Sequence, residues 1–224
     1  MKPLLLATLI LTAAMAAGAA SAQGALAAGG QIGTPGAGAT AEYAVSPTVV
    51  LRGSYDVLRY DHDFTSNDVN YGGNLDWNQA GAFVDLHPWS NSFFFSGGAY
   101  FGDRNTTLRA TPNRSVRIGD TTFTGTEAGT ISGDVDFGST SGFGGLGFDN
   151  TFSGSGPFGF RATLGAQIGS NPSVSLRRTA GAALTPAVQA QLDTELRKEE
   201  SRLRDDADDF RVYPVVQLGL TYRF

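Results

Sequence analysis

The chain has no cysteine, only two histidines among 224 residues, and few charged residues (17%). The absence of cysteine excludes disulfide scaffolds, thiol catalysis and cysteine-ligated zinc. A formal net charge of −5 argues against nucleic acid as a partner, because phosphate binding requires clustered Lys and Arg. Beyond residue 22 no apolar run approaches the ~18–20 residues of a membrane-spanning helix. A bundle of transmembrane helices is therefore excluded, and the 30 Gly and 15 Phe need another explanation.

The first 22 residues have the features of a secretory signal peptide. Lys2 supplies a positive start, residues 4–17 are apolar, and Ala20-Ser21-Ala22 forms the small-x-small cleavage pattern. We expect cleavage after Ala22, which leaves residues 23–224 as one mature domain. A membrane anchor or a buried N-terminal helix is the alternative. Export without cysteine is typical of bacterial envelope proteins.

Side chains alternate between apolar and polar or small residues with a period of two, which predicts β-strands. The last fifteen residues show this best, since Leu218, Leu220 and Tyr222 alternate with Gln217, Gly219 and Thr221. Turn-forming segments and longer polar stretches alternate between these runs. The predicted strands are 25–32, 36–45, 48–62, 72–86, 92–104, 130–148, 157–177 and 210–224.

Eight strands joined alternately by short and long connections predict an all-β fold, an eight-stranded antiparallel up-and-down transmembrane β-barrel. Such a barrel lacks free edges, as hydrocarbon requires. Thr185-Pro186 opens a helical pattern that runs to residue 207. We expect a short solvent-facing helix there, within the last external loop. It serves either as a lid or contact surface or only packs on the barrel rim.

Several segments resemble the superfamily of small eight-stranded bacterial outer-membrane barrels, which includes the outer-membrane protein A transmembrane domain and opacity-type proteins. They are the closing strand 213–224 (Tyr-Pro-Val-Val-Gln-Leu-Gly-Leu-Thr-Tyr-Arg-Phe) and segment 33–39 (Gly-Thr-Pro-Gly-Ala-Gly-Ala). Segments 110–112, 133–137 and 169–175 resemble an uncharacterised proteobacterial group of such barrels. The resemblance implies a monomer in the bacterial outer membrane, in contact with its lipids.

The closing strand also resembles the signal that the barrel-assembly machinery recognises, since an extended amphipathic strand can pair with a strand edge of that machinery. The positions concerned are Leu218, Leu220, Tyr222 and Phe224. The resemblance thus implies the machinery and periplasmic chaperones as partners during biogenesis. An ordinary C-terminal strand of a periplasmic protein is the alternative.

Eight strands enclose a lumen just wide enough for side chains to fill. The alternation directs five charged residues inward: Glu42, Arg52, Asp85, Arg161 and Arg223. We expect them to form a lumen charge network, because an unpaired charge there would be costly. The network either gates a narrow path or simply fills the lumen with paired polar groups.

No arrangement typical of catalysis or metal binding emerges. His62 lies between Asp61 and Asp63, but neighbours along a strand point to opposite faces and cannot converge; we assign them to a solvated external loop. His87 precedes Pro88 in a turn, and no histidine follows it, so the last four strands lack a His base. We therefore predict no enzyme activity, no metal and no cofactor.

The sequence predicts a non-enzymatic integral outer-membrane barrel with a mostly side-chain-filled lumen, serving envelope structure or surface contact. One alternative is a narrow outer-membrane channel for small or apolar solutes. A more distant one is a periplasmic lipocalin-like binding protein, in which the apolar side chains would point inward.

Overall fold

The computed structural model describes residues 26–66, 69–207 and 211–224. The predicted signal peptide lies outside the described residues. Twelve strands and two helices are present in the described part of the chain. The strands are β1 (Leu26–Gly33), β2 (Gly36–Ser46), β3 (Val49–Ser66), β4 (Val69–Leu86), β5 (Phe93–Pro112), β6 (Val116–Ile118), β7 (Thr121–Phe123), β8 (Thr130–Asp136), β9 (Thr140–Asp149), β10 (Phe158–Gly169), β11 (Ser173–Ala180) and β12 (Val212–Arg223). The helices are α1 (Gly125–Ala128) and α2 (Pro186–Ala207).

Eight of these strands close into an antiparallel barrel. The order β5-β4-β3-β2-β1-β12-β10-β9 is completed by pairing of β5 with β9. The first strand, little more than Ala and Gly, pairs with the last through Ala27↔Arg223 and Gly33↔Gln217. The predicted eight-stranded fold is confirmed. We call the end that carries the short turns 47–48, 87–92 and 150–157 the turn end, and the opposite end the loop end.

Two predicted strands are each divided in two. Segment 130–148 forms β8 and β9, and segment 157–177 forms β10 and β11. The first break falls at Gly138, which has a φ of 77° and whose N–H donates to Asp136 Oδ1 at 2.8 Å. The second falls at residues 170–172, which contain Pro172. Strands β8 and β11 therefore leave the barrel and pair above it, in the order β5-β8-β11.

The predicted long loops are more ordered than expected. Strands β3 and β4 stay paired up to Ser66↔Val69, so the assignment of His62 and its neighbours to a loop was wrong. Residues 105–129 continue β5 and then form the β6–β7 hairpin and α1. The predicted helix in the last loop is confirmed as α2.

Helix α2 packs on β11 and on the β6–β7 hairpin, beyond the loop end of the barrel. A small apolar core forms there from Ile118, Phe123, Ala128, Leu192 and Leu196. No helix within the described ranges is long and apolar enough to cross a membrane.

Apolar side chains cover the outside of the barrel, whereas mostly polar or small side chains, together with a few aromatic ones, face its axis. Leu218 is 48% exposed, whereas its neighbour Gln217 is 4% exposed. Leu164, Leu220 and Phe95 are exposed in the same way, while Thr163 and Ser96 are buried. This arrangement is the reverse of a lipocalin-like binder.

Pro214 has no backbone N–H to donate to a closed sheet. It lies beyond the end of β1, where β12 has lost one of its two neighbouring strands. The ladder between β1 and β12 ends at Gly33↔Gln217, so at residue 214 only β10 pairs with β12. Thr34, in the turn after β1, anchors this region: its N–H donates to Val216 O at 3.0 Å and its Oγ1 to Pro214 O at 2.9 Å.

Candidate functional site

The lumen is crossed near the turn end by a buried ion-pair layer centred on Arg161 of β10. Its Nη1 lies 3.1 Å from Glu42 Oε1 and 2.6 Å from Asp149 Oδ2, and its Nη2 lies 2.5 Å from Asp85 Oδ2. These carboxylates come from β2, β9 and β4. All four side chains are at most 3% exposed. One guanidinium therefore connects four strands across the barrel.

Arg52 of β3 extends this layer. Its Nε donates to Asp85 Oδ2 at 2.9 Å, and its Nη2 donates to Ser96 Oγ at 3.2 Å. Arg52 also lies over the ring of Phe83, with 3.9 Å between Cζ and the ring centroid. Arg161 lies in the same way over Phe94, at 4.3 Å. Aromatic rings thus cover both guanidinium groups within the lumen.

The structure brings together four of the five predicted lumen charges and places the fifth elsewhere. Arg223 is half-buried at the turn end, where its guanidinium donates to the backbone oxygens of Phe152 at 3.3 Å and Gly156 at 3.0 Å. We predicted Arg223 in the network because alternation places it on the inward face of β12. Arg223 is the last residue of that strand, however, and therefore lies closer to the turns than the other four residues. Its partners are turn carbonyls.

Sequence reasoning missed Asp149 as a member of the layer. The predicted strand ended at residue 148, which assigned Asp149 to the turn, whereas β9 includes it. Its Oδ1 accepts from Thr151 N at 2.8 Å while its Oδ2 meets Arg161. Phe148 is exposed on the outer face of β9. Continuing the alternation by one residue would have assigned Asp149 to the lumen.

A second polar group lies higher in the lumen around Asp56, which is fully buried. Asp56 Oδ1 accepts from Gln31 Nε2 at 2.7 Å and Gln217 Nε2 at 3.4 Å, and its Oδ2 accepts from Ser54 Oγ at 2.9 Å. These residues belong to β1, β12 and β3. The Asp56 group therefore joins the first and last strands to the rest of the barrel.

Aromatic side chains fill the middle of the lumen. Phe83, Tyr100 and Phe143 pack edge to face, with ring centroids 5.0–5.8 Å apart, and Val215 completes the cluster. Edge-to-face packing at this spacing is favourable for aromatic rings. This aromatic layer obstructs the axis above the ion pairs.

A third polar group closes the loop end of the lumen. Gln167 Nε2 donates to Gln79 Oε1 and to Ser141 Oγ, both at 2.6 Å. Trp77 lies beyond them and packs against Tyr213 with 5.1 Å between ring centroids. Side chains that face the lumen thus contact one another at several levels along the barrel, from the Arg161 layer to Trp77.

Six buried polar atoms of the lumen have no hydrogen-bond partner among the described residues. They are Glu42 Oε2, Trp77 Nε1, Gln79 Nε2, Tyr100 OH, Arg161 Nε and Gln167 Oε1. Buried polar groups are normally bonded to protein or to ordered water. The lumen thus contains buried polar atoms as well as aromatic rings.

The four residues of the proposed assembly signal share the outer face of β12. Leu218, Leu220, Tyr222 and Phe224 are all exposed. Tyr222 packs edge to face with Phe158 and Phe224, at 5.3 and 5.4 Å. Phe224 N donates to Leu26 O at 3.0 Å, which ties the end of β12 to the start of β1. Recognition by the assembly machinery stays a prediction.

The histidines lie apart from any catalytic or metal-binding group. His62 stacks on Tyr60 at 5.9 Å, and on the opposite face of β3 Asp61 accepts a hydrogen bond from Asn74. His87 Nδ1 lies 2.8 Å from Asn91 O in the turn after β4. No group of three metal-ligating side chains occurs within 26–66, 69–207 and 211–224.

No protein-family model and no curated protein matches this chain. Solved structures do match, among them two outer-membrane β-barrel proteins of Acinetobacter baumannii. CarO2 aligns with a TM-score of 0.61 at 23% identity, over 89% of this chain and 98% of its own. CarO aligns with a TM-score of 0.54 at 21% identity, over 88% and 97%.

These similarities establish the fold, that of an outer-membrane β-barrel. The identity is too low to carry over what CarO proteins do. The resemblance to the superfamily of outer-membrane protein A and opacity-type proteins, and within it to an uncharacterised proteobacterial group, stays a prediction.

Proposed function

We propose that this protein is a non-enzymatic outer-membrane barrel whose lumen is closed, and that it serves envelope structure or surface contact. The observation that carries the proposal is the Arg161 layer. A guanidinium held by three carboxylates from three strands blocks the axis where an open pore would need water. Open aqueous channels are typical of barrels with about 16–18 strands.

Single-channel recording in planar lipid bilayers tests whether the lumen is closed. We expect the wild-type protein to carry no steady current. Arg161→Ala removes the cation that neutralises the layer, and we expect it to produce current bursts. Arg59→Ala is the matched control, because Arg59 forms an exposed pair with Asp76 outside the barrel; it should stay silent. A steady, ion-selective current through the wild type would refute closure.

Two further measurements address location and chemistry. Outer-membrane fractionation with heat-modifiable gel migration should recover a folded, membrane-embedded barrel; recovery in the soluble periplasmic fraction would contradict the assignment. Mass analysis of lipid A from a deletion strain should match the parent strain. A change in lipid A composition would contradict the non-enzymatic role.

A narrow channel for small solutes is the second candidate function. The six lumen polar atoms without a protein partner favour it, because they could hydrogen-bond to water or a polar solute. The same bilayer recordings separate the two candidates. A channel requires measurable flux through wild-type protein, whereas a closed barrel does not.

A further inference from the structure

A groove lies between helix α2 and strand β11, outside the lumen at the loop end. Its cavity volume is about 770 Å³, within the range of ~300–1,000 Å³ typical of ligand sites. Leu176, Leu184, Leu192 and Leu196 supply apolar walls, and Arg197 and Glu200 supply charge. The groove is therefore amphipathic.

One side of the groove is the edge of a β-sheet. Strand β11 pairs with β8 on one side, and no other described strand pairs with it. Leu176 N donates to Glu200 Oε1 of α2 at 2.6 Å, so this N–H points away from β8. In an antiparallel ladder the N–H and C=O of alternate residues point to the same side. Val174 and Arg178 thus also direct their backbone groups into the groove.

Glu200 occupies the position that an added strand would use. Its carboxylate oxygen accepts from Leu176 N–H, where a neighbouring strand would place a carbonyl oxygen. Extended peptides bind exposed sheet edges in this way, with main-chain hydrogen bonds supplying affinity and side-chain pockets supplying specificity. Leu176 and Leu184, which are partly exposed, provide apolar contacts for alternate side chains of the peptide.

The charges of the groove favour an acidic occupant. Three arginines line it against two acidic residues, Asp193 and Glu200. Arg177 already contacts Asp134, and Arg178 donates to the backbone oxygens of Ala128 and Ala182 at 3.2 and 2.7 Å. Within the described residues, the polar contact of Arg197 is a hydrogen bond of 3.3 Å to Thr194 Oγ1. Arg197 is therefore the cation best able to receive an acidic side chain.

We infer that this groove binds an extended acidic segment of a partner protein, which adds to β11 as a further strand. A main-chain carbonyl of the segment replaces Glu200 at Leu176 N–H, and an acidic side chain pairs with Arg197. Because the groove lies outside the lumen, the inference does not depend on whether the barrel conducts.

Fluorescence anisotropy with the full chain in detergent micelles tests this inference. The probe is the labelled heptapeptide Thr-Val-Glu-Val-Glu-Val-Thr, acetylated and amidated, and its counterpart carries Lys in place of Glu. We expect saturable binding of the acidic peptide and at least about tenfold weaker binding of the basic one. Arg197→Glu should reverse this preference. Arg204→Glu, on the same helix outside the groove, should leave it unchanged.

Leu176→Pro tests the strand-addition geometry. It removes the N–H that faces the groove without removing a donor from the ladder with β8, and we expect binding to be lost. If that variant does not fold by heat-modifiable migration, hydrogen exchange of the wild-type Leu176 and Arg178 amides decides. The acidic peptide should slow exchange at both.

Three outcomes would overturn the inference. They are the absence of saturable peptide binding, wild-type affinity in folded Leu176→Pro, and unchanged exchange at both amides. Binding of decanoate without binding of the acidic peptide would also overturn it, and would assign the groove to small amphipathic anions instead.

Discussion

Arg161 Nη2 and Asp85 Oδ2 lie 2.5 Å apart in the lumen, although the two residues are 76 positions apart in the chain. The same carboxylate oxygen accepts from Arg52 Nε at 2.9 Å. Asp85 therefore pairs with two buried cations at once. Its loss would leave Arg52 without its carboxylate partner and would remove one of the three carboxylates that hold Arg161.

Asp85→Ala is expected to lower the free energy of unfolding by about 3–5 kcal/mol, because breaking a buried pair leaves a charge buried without its partner. Denaturant titration of the folded band in detergent measures this. Asp76→Ala is the matched control: Asp76 pairs with Arg59 in solvent, and exposed pairs contribute about 0–1 kcal/mol. A similar cost for both would mean that the lumen layer contributes no more than a surface pair.

Neighbouring residues on β12 should respond differently to the same substitution. Leu218→Arg places a charge on the lipid face and is expected to cost about 2–4 kcal/mol near the bilayer midplane. Gln217→Arg should cost less, because Gln217 faces the lumen close to Asp56. Refolding titrations into lipid vesicles measure the free energy of folding of both variants. Equal losses would contradict the assignment of Leu218 to the lipid face and of Gln217 to the lumen.

Two adjacent glycines of β5 offer a test of lumen packing. A Cβ on Gly98 would lie 2.2 Å from Ala82 O and 2.6 Å from Phe83 Cδ1, whereas a Cβ on Gly97 meets nothing within 4 Å. Gly98→Ala should therefore destabilise the barrel by about 1–3 kcal/mol through overpacking. Gly97→Ala should leave the unfolding midpoint nearly unchanged. Equal midpoints for the two variants would contradict the tight approach of β4 to β5.

Deletion of Phe224 is expected to slow assembly and leave aggregates in the periplasm, because the terminal residue belongs to the proposed assembly signal. Outer-membrane yield by fractionation measures this. Phe158→Ala is a suitable control, since Phe158 is also exposed and contacts Tyr222 but lies outside the last strand. Unchanged yield without Phe224 would remove the support for a signal role.

Docking of α2 on the β6–β7 turn should weaken in acid. Arg202 and Lys198 donate to Asp120 and lower the pKa of its carboxyl, and hydrogen bonds from Lys198 and from Asp120 N lower the pKa of Glu195. A carboxyl group whose pKa is lowered by folding stabilises the docked helix fully at pH values above the pKa of an ordinary carboxyl. This stabilisation is lost as the pH falls through the lowered pKa of the folded state. Hydrogen bonding to Glu195 raises the pKa of Lys198, so its contribution is lost only at alkaline pH.

Hydrogen exchange of α2, corrected for intrinsic rates, measures this docking. Protection should be constant from about pH 5 to 9 and fall below about pH 4. Because Asp120, Lys198 and Arg202 are exposed, about 1 M salt should reduce protection at neutral pH. Asp120→Asn should show lower protection at pH 7 and a smaller acid response. Protection that is independent of both pH and salt would assign docking to the apolar core alone.

The barrel was predictable because its two faces have different chemistry. Leu218 and Gln217 differ in polarity, and a period of two assigns them to opposite sides whatever the tertiary structure. Strand ends were less predictable: the Asp-Phe-Gly and Ser-Asn-Pro segments at 136–138 and 170–172 are turn formers within otherwise alternating runs. They divide two predicted strands. The positions of the resulting strands β8 and β11 follow from the pairing of β8 with β5 and β11, which the sequence does not reveal.

The missed features had local signals of uneven strength. Gly119-Asp120 between two short β-prone runs is typical of a hairpin, and Thr124 with Glu127 forms a capping box. The membership of the charge layer was harder to predict. Arg223 and Arg161 share an inward face by alternation, but their depth along the axis depends on strand tilt and register, which the pattern of one strand does not determine.

Pairing of β1 with β12 has a consequence for biosynthesis. The two strands that complete the cylinder are separated in the chain by residues 34–211, and the Asp56 group that ties them draws on both. The ring cannot close before residues 212–223 have been synthesised and have reached β1. Until then the sheet keeps open edges.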